Sequence, residues 1–284
     1  MLVMKHTDEI KDGAKSTAYQ IIDGQTSMFA PIYQKSLYIR CFGGFTVSYN
    51  GKPVNFPTQK AEEILAYLVN CGRDAVMRDL IIEDLWPGMY LVNGINNFHV
   101  NLYNMRKAFK AIDLGDICIH SKGRYYLNPE HVYCDAWQFD GIMELLRACQ
   151  FQNMSLLEQA SELYRGQYFG MNDYSWSAER QYQYEHCFET VQNKLYDMYM
   201  EQGRYSKAVY AMRRLISVNP LSPEPYEKCI HAYLRGNQPS AALNHLLMLE
   251  QIYIKELGEP LPGSLLEIKH MLTSGRRKDV ALKR

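Results

Sequence analysis

The stretch NGINNFHVNLYNMRKAFKAIDLGDICIHSKGRYY, residues 93–126, reads as a helix followed by a short hairpin. Between Asn93 and Ile112, apolar residues recur at Ile95, Phe98, Leu102, Met105, Phe109 and Ile112. Their alternating steps of three and four are the spacing of one buried stripe on an α-helix. The opposite face carries Asn93, Asn96, Asn97, Val100, Tyr103, Asn104 and Lys107, with Asn101, Arg106 and Lys110 toward its margins. Asparagine is a mediocre helix former, so its accumulation on one face asks for a reason other than helix stability. Its amide pairs bidentately with the N6/N7 edge of adenine, and Lys and Arg hold phosphates. Such a face suits a helix lying in a major groove. It also suits an ordinary solvated surface, and the helix alone does not separate the two.

The flanking sequence places this helix in a larger pattern. Downstream, Ile117-Cys118-Ile119-His120 and Arg124-Tyr125-Tyr126-Leu127 flank Ser121-Lys122-Gly123, a hairpin with Gly123 at a positive-φ turn position and the basic Lys122 and Arg124 at its tip. Upstream, Leu37, Ile39 and Cys41 and then Phe45, Val47 and Tyr49 alternate as strands, closed by Asn50-Gly51, the favoured pair for a tight hairpin turn. A helix follows, with Thr58 as N-cap, Glu62 and Glu63 in its first turns, and Ala61, Ile64, Leu65, Leu68 and Val69 as its stripe up to Cys71-Gly72. A shorter helix runs from about Met77 to Trp86, with Leu80, Ile81 and Leu85 expected inward and Pro87-Gly88 as its stop. Strands, three helices and a basic hairpin make a winged helix-turn-helix, whose third helix enters the major groove while the wing meets phosphates or the minor groove.

The run Gly43-Gly44-Phe45-Thr46-Val47, the helix around Gln59–Leu68, the segment Leu80–Pro87, the stretch Val100–Phe109 and the wing Lys122–Leu127 together resemble the Streptomyces antibiotic regulatory protein family of transcriptional activators. The DNA-binding domain of that family is similar to the winged helix of the OmpR/PhoB response regulators. The resemblance extends to about residue 273. It implies promoter DNA as partner, head-to-tail binding of copies on direct repeats, and contact with RNA polymerase as a further possibility. This chain departs from the family pattern in one respect: its recognition face is rich in Asn where relatives usually carry more Arg.

From about Asp135 only helical periods remain, through Phe139, Ile142, Leu145 and Leu146, then Leu156, Leu157, Ala160 and Leu163. A 34-residue self-similarity pairs Leu195 with Cys229, Tyr199 with Tyr233, Ala208 with Ala242, Met212 with Leu246 and Leu215 with Leu249. That is the tetratricopeptide period, in which a small Ala lets paired helices approach. Gly203 and Gly236 fall one residue out of this phase, which predicts different turns within the two repeats. The expected fold is therefore an α+β winged helix-turn-helix followed by an all-α, tetratricopeptide-like repeat domain. The expected divisions are a mobile leader over 1–35, a DNA-binding domain over 36–134, a bacterial transcriptional activator domain over 135–273 that folds as a separate unit, and a frayed basic tail over 274–284. The last helix is placed at about Ser264 to Leu272. The aromatic cluster Tyr164, Tyr168, Phe169, Tyr174, Trp176, Tyr182 and Tyr184 reads either as a ligand or partner groove or as packing between domains.

Composition bounds the rest. No apolar run approaches the 18 or more residues of a membrane span, so no membrane partner is expected. The start lacks the apolar centre of a secretory signal. The seven cysteines are odd in number and never in a CxxC pair, which predicts reduced thiols in the cytoplasm and argues against a disulfide framework or zinc knuckle. The net charge is zero, but it is unevenly placed. Residues 58–92 hold three basic and six acidic side chains, and residues 93–128 hold five basic and two acidic ones. Phosphate-loop, HExxH and GxSxG motifs are all missing. We therefore expect no enzyme, no catalytic residue, no cofactor and no metal site. His99 is expected on the helix surface rather than as a ligand. The expected function is sequence-specific regulation of transcription by an activator, the repeats mediating self-association, effector sensing or polymerase contact. The alternative is a helical-repeat adaptor whose winged helix has turned to protein contacts.

Overall fold

The alternation that begins at Leu37 becomes sheet. The computed structural model describes residues 37–115 and 117–281, together with the pairs 21–22 and 25–26, which form the short antiparallel strands β1 (Ile21–Ile22) and β2 (Gln25–Thr26). The leader expected over 1–35 otherwise lies outside the described residues. β3 (Leu37–Arg40), β4 (Thr46–Tyr49) and β5 (Lys52–Pro53) follow as an antiparallel meander, with Leu37, Ile39, Cys41, Phe45 and Val47 buried as the alternation predicts.

Helix α1 (Gln59–Asn70) starts where expected: the Thr58 hydroxyl accepts the Ala61 N–H at 3.1 Å. Strand β6 (Val76–Met77) leads into α2 (Arg78–Leu85), and α3 (Leu91–Lys110) is the long helix of the opening stretch. One expectation for α2 is corrected. Leu80 is 50% exposed, and Ile82 joins Ile81 and Leu85 in the core. The cause lies at Gly94 in α3, where a Cβ would sit 2.5 Å from the Ile82 Cγ2. Without that Cβ, α3 approaches closely enough to make Ile82 the inward residue.

The wing is β7 (Cys118–Ser121) and β8 (Arg124–Leu127), with β6 added on the β8 side. Both Lys122 and Gly123 take positive φ at its tip, 52° and 75°, the signature of a type I′ turn. A strand that the sequence reading missed, β9 (Val132–Cys134), runs parallel to β3, so the first sheet has the order β5-β4-β3-β9. Three residues are too short a run for periodicity to reveal.

The rest is helical: α4 (Asp135–Ala148), α5 (Met154–Leu163), α6 (Ala178–Glu201), α7 (Tyr205–Val218), α8 (Pro223–Arg235), α9 (Pro239–Ile252) and α10 (Gly263–Ala281). The last helix thus runs beyond the expected Leu272. Helices α6 to α9 form two helix pairs, and the small residues at their crossings, Ala208 and Ala242, are fully buried. The 34-residue phase holds more strictly than the glycines suggested. The left-handed residue after α6 is Gly203 (φ 68°), and its counterpart after α8 is Asn237 (φ 55°) rather than Gly236. The two turns are therefore alike, since Asn tolerates the left-handed region.

One hydrophobic core runs from Leu37 across the division near Cys134 and into the repeats as far as Ala232, and a second, around Tyr226, Leu246 and Leu265, lies between α8, α9 and α10. The Asp135 carboxylate accepts three backbone N–H groups, from Cys41 at 2.7 Å, Phe42 at 3.2 Å and Ala136 at 2.8 Å, and so fastens the end of β3 to α4. The Phe42 ring lies among Phe139, Tyr164 and Tyr184 at centroid distances of 5.4, 4.9 and 5.1 Å. Beside it the backbone of Gly170 presses on that of Gly44; a Cβ on Gly170 would stand 2.7 Å from the Gly44 Cα. Trp137 Nε1 donates to the Val69 carbonyl and Trp176 Nε1 to Glu63, both on α1. The aromatic cluster is therefore mostly packing between the two parts of the chain. Tyr182, 72% exposed, stands outside it.

Candidate nucleic-acid interface

The side chains of α3 divide as the sequence stripe predicts. Phe98, Leu102, Met105 and Phe109 are buried, while Asn93, Asn96, Val100, Tyr103, Arg106, Lys107 and Lys110 are exposed and Asn97, Asn101 and Asn104 are half-buried. Val100 and Tyr103 keep 59% and 65% of their surface in water, apolar area at the centre of an otherwise polar face. The helix contains no Asp or Glu anywhere along its 20 residues. Lys107 and Lys110 sit in its last turn, where the helix dipole favours cations. The α3 face therefore carries uncompensated positive charge, amide groups and exposed apolar atoms together.

The three-dimensional arrangement separates the named residues by role. Asn101 is tied within the protein: the Thr58 hydroxyl donates to its Oδ1 at 2.7 Å, and its Nδ2 donates to the Asn97 carbonyl at 2.9 Å. It links α3 to the N-cap of α1. Asn97 Nδ2 donates to the Met89 sulfur at 3.1 Å. Arg106 donates to the Cys118 carbonyl at 3.2 Å and braces α3 against β7 of the wing. Tyr125 on β8 completes the brace, edge-on to Phe98 at 5.1 Å and stacked on His120 at 4.5 Å, and burial pushes its phenol up. Asn93, Asn96, Tyr103, Asn104, Lys107 and Lys110 on α3, and Lys122 and Arg124 at the wing tip, make no side-chain hydrogen bond or ion pair among the described residues. His99 lies exposed beside Phe98, as expected.

Residues just before the expected helix start belong to the same surface. Tyr90 is 85% exposed and Val92 70%. Local signals hardly mark them, because α3 begins at Leu91 with Tyr90 as an N-cap whose side chain makes no capping bond.

One group of described side chains brings potential metal donors together: Cys41, Cys134 and Asp135, all buried, with donor atoms within 4.8 Å of one another. The donor set fits poorly. The Asp135 oxygens are already filled by backbone N–H groups, and burial holds the Cys41 thiol well above its ordinary range, against the thiolate a metal needs. The cluster is accounted for as a fastening of β3. Among the described residues no helix is long and apolar enough to cross a membrane.

Fold and surface together define a winged helix-turn-helix joined to a helical-repeat array. Residues 134–271 match the family model of the bacterial transcriptional activator domain. The helical-repeat part of the chain is thus similar to a bacterial transcriptional activator domain, and the whole resembles regulators of the Streptomyces antibiotic regulatory protein type. No curated protein matches it. Among solved structures, that of Mycobacterium tuberculosis EmbR in complex with a low-affinity phosphopeptide is similar, with a TM-score of 0.57 and 19% identity. The likeness covers 85% of this chain and 66% of that one, and it shows a shared fold.

Proposed function

We propose that this protein binds specific promoter DNA in the cytoplasm through the outward face of α3 and the wing, and activates transcription from there. Residues 36–134 serve as the DNA-binding domain. Residues 135–273 mediate self-association, effector sensing or RNA polymerase contact. The observation that carries this reading is the acid-free α3, whose unpartnered amides and cations surround exposed Val100 and Tyr103. Asn97 and Asn104 suit adenine edges, Val100 suits the thymine methyl, and Lys107, Lys110, Lys122 and Arg124 suit phosphates. Asn101 and Arg106 act one step back, by holding α3 against α1 and the wing.

Selection of bound fragments from random or genomic DNA tests this directly, the expected outcome being an A/T-rich consensus. Replacing Asn104 with Ala should then cost about 1–3 kcal/mol on that consensus. Lys122→Ala should instead weaken all sequences alike and lower the salt slope by about 1. Failure to enrich any duplex would favour the adaptor alternative. A single module of this kind covers roughly 600–1,000 Å², too little for promoter selectivity alone. Copies are therefore expected on direct repeats with centres about 10–11 bp apart. Lengthening that spacing by half a turn should abolish cooperativity in a footprinting titration, whereas a preference for inverted repeats would overturn the head-to-tail arrangement.

A further inference from the structure

A cavity of about 420 Å³ opens between α7, α8 and α9, well away in sequence from the winged helix. Its volume falls in the range of small-molecule sites. Its lining is aromatic: Tyr233 stacks on His245 at 5.1 Å and 22°, and Tyr226 meets the same imidazole edge-on at 6.4 Å. Two polar features are left without counterparts. The His245 Nδ1 is buried and has no hydrogen-bond partner, a state that native proteins normally relieve with a water or a ligand. The Arg213 guanidinium, also lining the cavity, makes no hydrogen bond or ion pair among the described residues. Among the described residues no carboxylate lines the cavity, while Ser217 and Asn244 supply neutral polar groups.

We propose that this cavity binds a small aromatic carboxylate. The ring of the ligand lies against Tyr226, Tyr233 and His245, where flat π surfaces favour another ring. Its carboxylate meets Arg213, whose planar fork matches two carboxylate oxygens. Burial, and next the charge of Arg213, hold His245 below its ordinary range, so the ring is neutral near pH 7 and acts as a hydrogen-bonding group rather than a second cation. The site therefore carries one positive charge, which selects a monoanion.

Calorimetric titration of the full chain, without DNA, tests the proposal with 4-hydroxybenzoate and indole-3-acetate as probes and with 4-hydroxybenzamide and cyclohexanecarboxylate as controls. The expected result is saturable binding of the aromatic carboxylates. The uncharged amide should bind about two- to fivefold more weakly, the size of one partly exposed ion pair, and the non-aromatic carboxylate weaker still. Arg213 is exposed, so Arg213→Gln should leave the unliganded melting temperature unchanged and erase the preference for carboxylate over amide. Ligand-induced shifts of the His245 imidazole resonances provide a second readout. The proposal is overturned if neither aromatic carboxylate binds in the millimolar range, or if Arg213→Gln leaves the carboxylate-to-amide ratio intact. Because no arm uses DNA, failure here and failure of the promoter-binding reading are separate results.

Discussion

Two faces of the winged helix differ in what lies over them. The outward side of α3 leaves Val100 and Tyr103 mostly in water and its asparagines largely unpartnered, whereas at the end of β3 the whole of Phe42 is buried beneath the helical repeats. The difference is that the backbone donors of Cys41, Phe42 and Gly43 at the β3 end all have fixed acceptors, the first two on Asp135 and the third on the Gln167 carbonyl at 3.0 Å. A paired and buried backbone marks a surface finished during folding; exposed, unpaired amides mark one left open to a partner.

The strongest way to break this contrast is at Phe42. Phe42→Ala should cost about 3–5 kcal/mol, and urea unfolding followed by tryptophan fluorescence should show one transition, because Trp86 packs on the same core as Trp137 and Trp176. Two separated transitions would mean that the seam does not couple the parts. Next comes Gly170→Ala, which places a Cβ against the Gly44 backbone at a left-handed position (φ 62°). A loss of roughly 1–3 kcal/mol is expected, and an unchanged melting temperature would show that the seam can spread.

A pair of changes on α3 sharpens the comparison from the other side. Asn101→Ala removes both links to Thr58 and Asn97 and should lower stability by about 1 kcal/mol. Asn104→Ala should leave stability within about 0.5 kcal/mol, its effect being confined to DNA affinity. Equal thermal shifts for the two would erase the distinction between a bracing and an open asparagine. The smallest effect concerns pH. The Tyr199 hydroxyl, followed by Lys207, holds the Glu158 carboxyl below its ordinary value of 4.5. A lowered carboxyl stabilises the fold above its unfolded pKa and loses that contribution as pH falls through the folded one. Glu158→Gln should therefore flatten acid unfolding slightly below about pH 4.5; an unaltered pH profile would show that the pair contributes nothing.

Much of this was legible in the sequence where period and side-chain chemistry agree. The α3 stripe from Phe98 to Phe109, the Thr58 cap, the hairpin at Lys122-Gly123 and the buried Ala208 and Ala242 all follow from local rules. What stayed hidden depends on contacts distant in sequence. Leu80 and Ile82 exchange places because of a missing Cβ on Gly94. Strand β9 exists because β3 pairs with it from 95 residues away, Leu37 facing Val132. The turn at Asn237 was hidden by an adjacent glycine that resembles the expected residue but does not take the left-handed conformation. On the candidate interface the sequence supplied the residue types, and the hydrogen bonds of Asn101 and Arg106 could not be read from spacing alone.

Strand β9 ends at Cys134 and helix α4 begins at Asp135, with no residue between them. The repeat array thus has a fixed compass bearing relative to the winged helix rather than swinging on a tether. A residue inserted at that joint would rotate everything downstream by about 100° and displace it by about 1.5 Å, while tearing the Asp135 carboxylate from the end of β3. A protein built in this way measures distance and azimuth along whatever it grips: whichever surface of the array meets a neighbour, it does so at an angle written into the strand register.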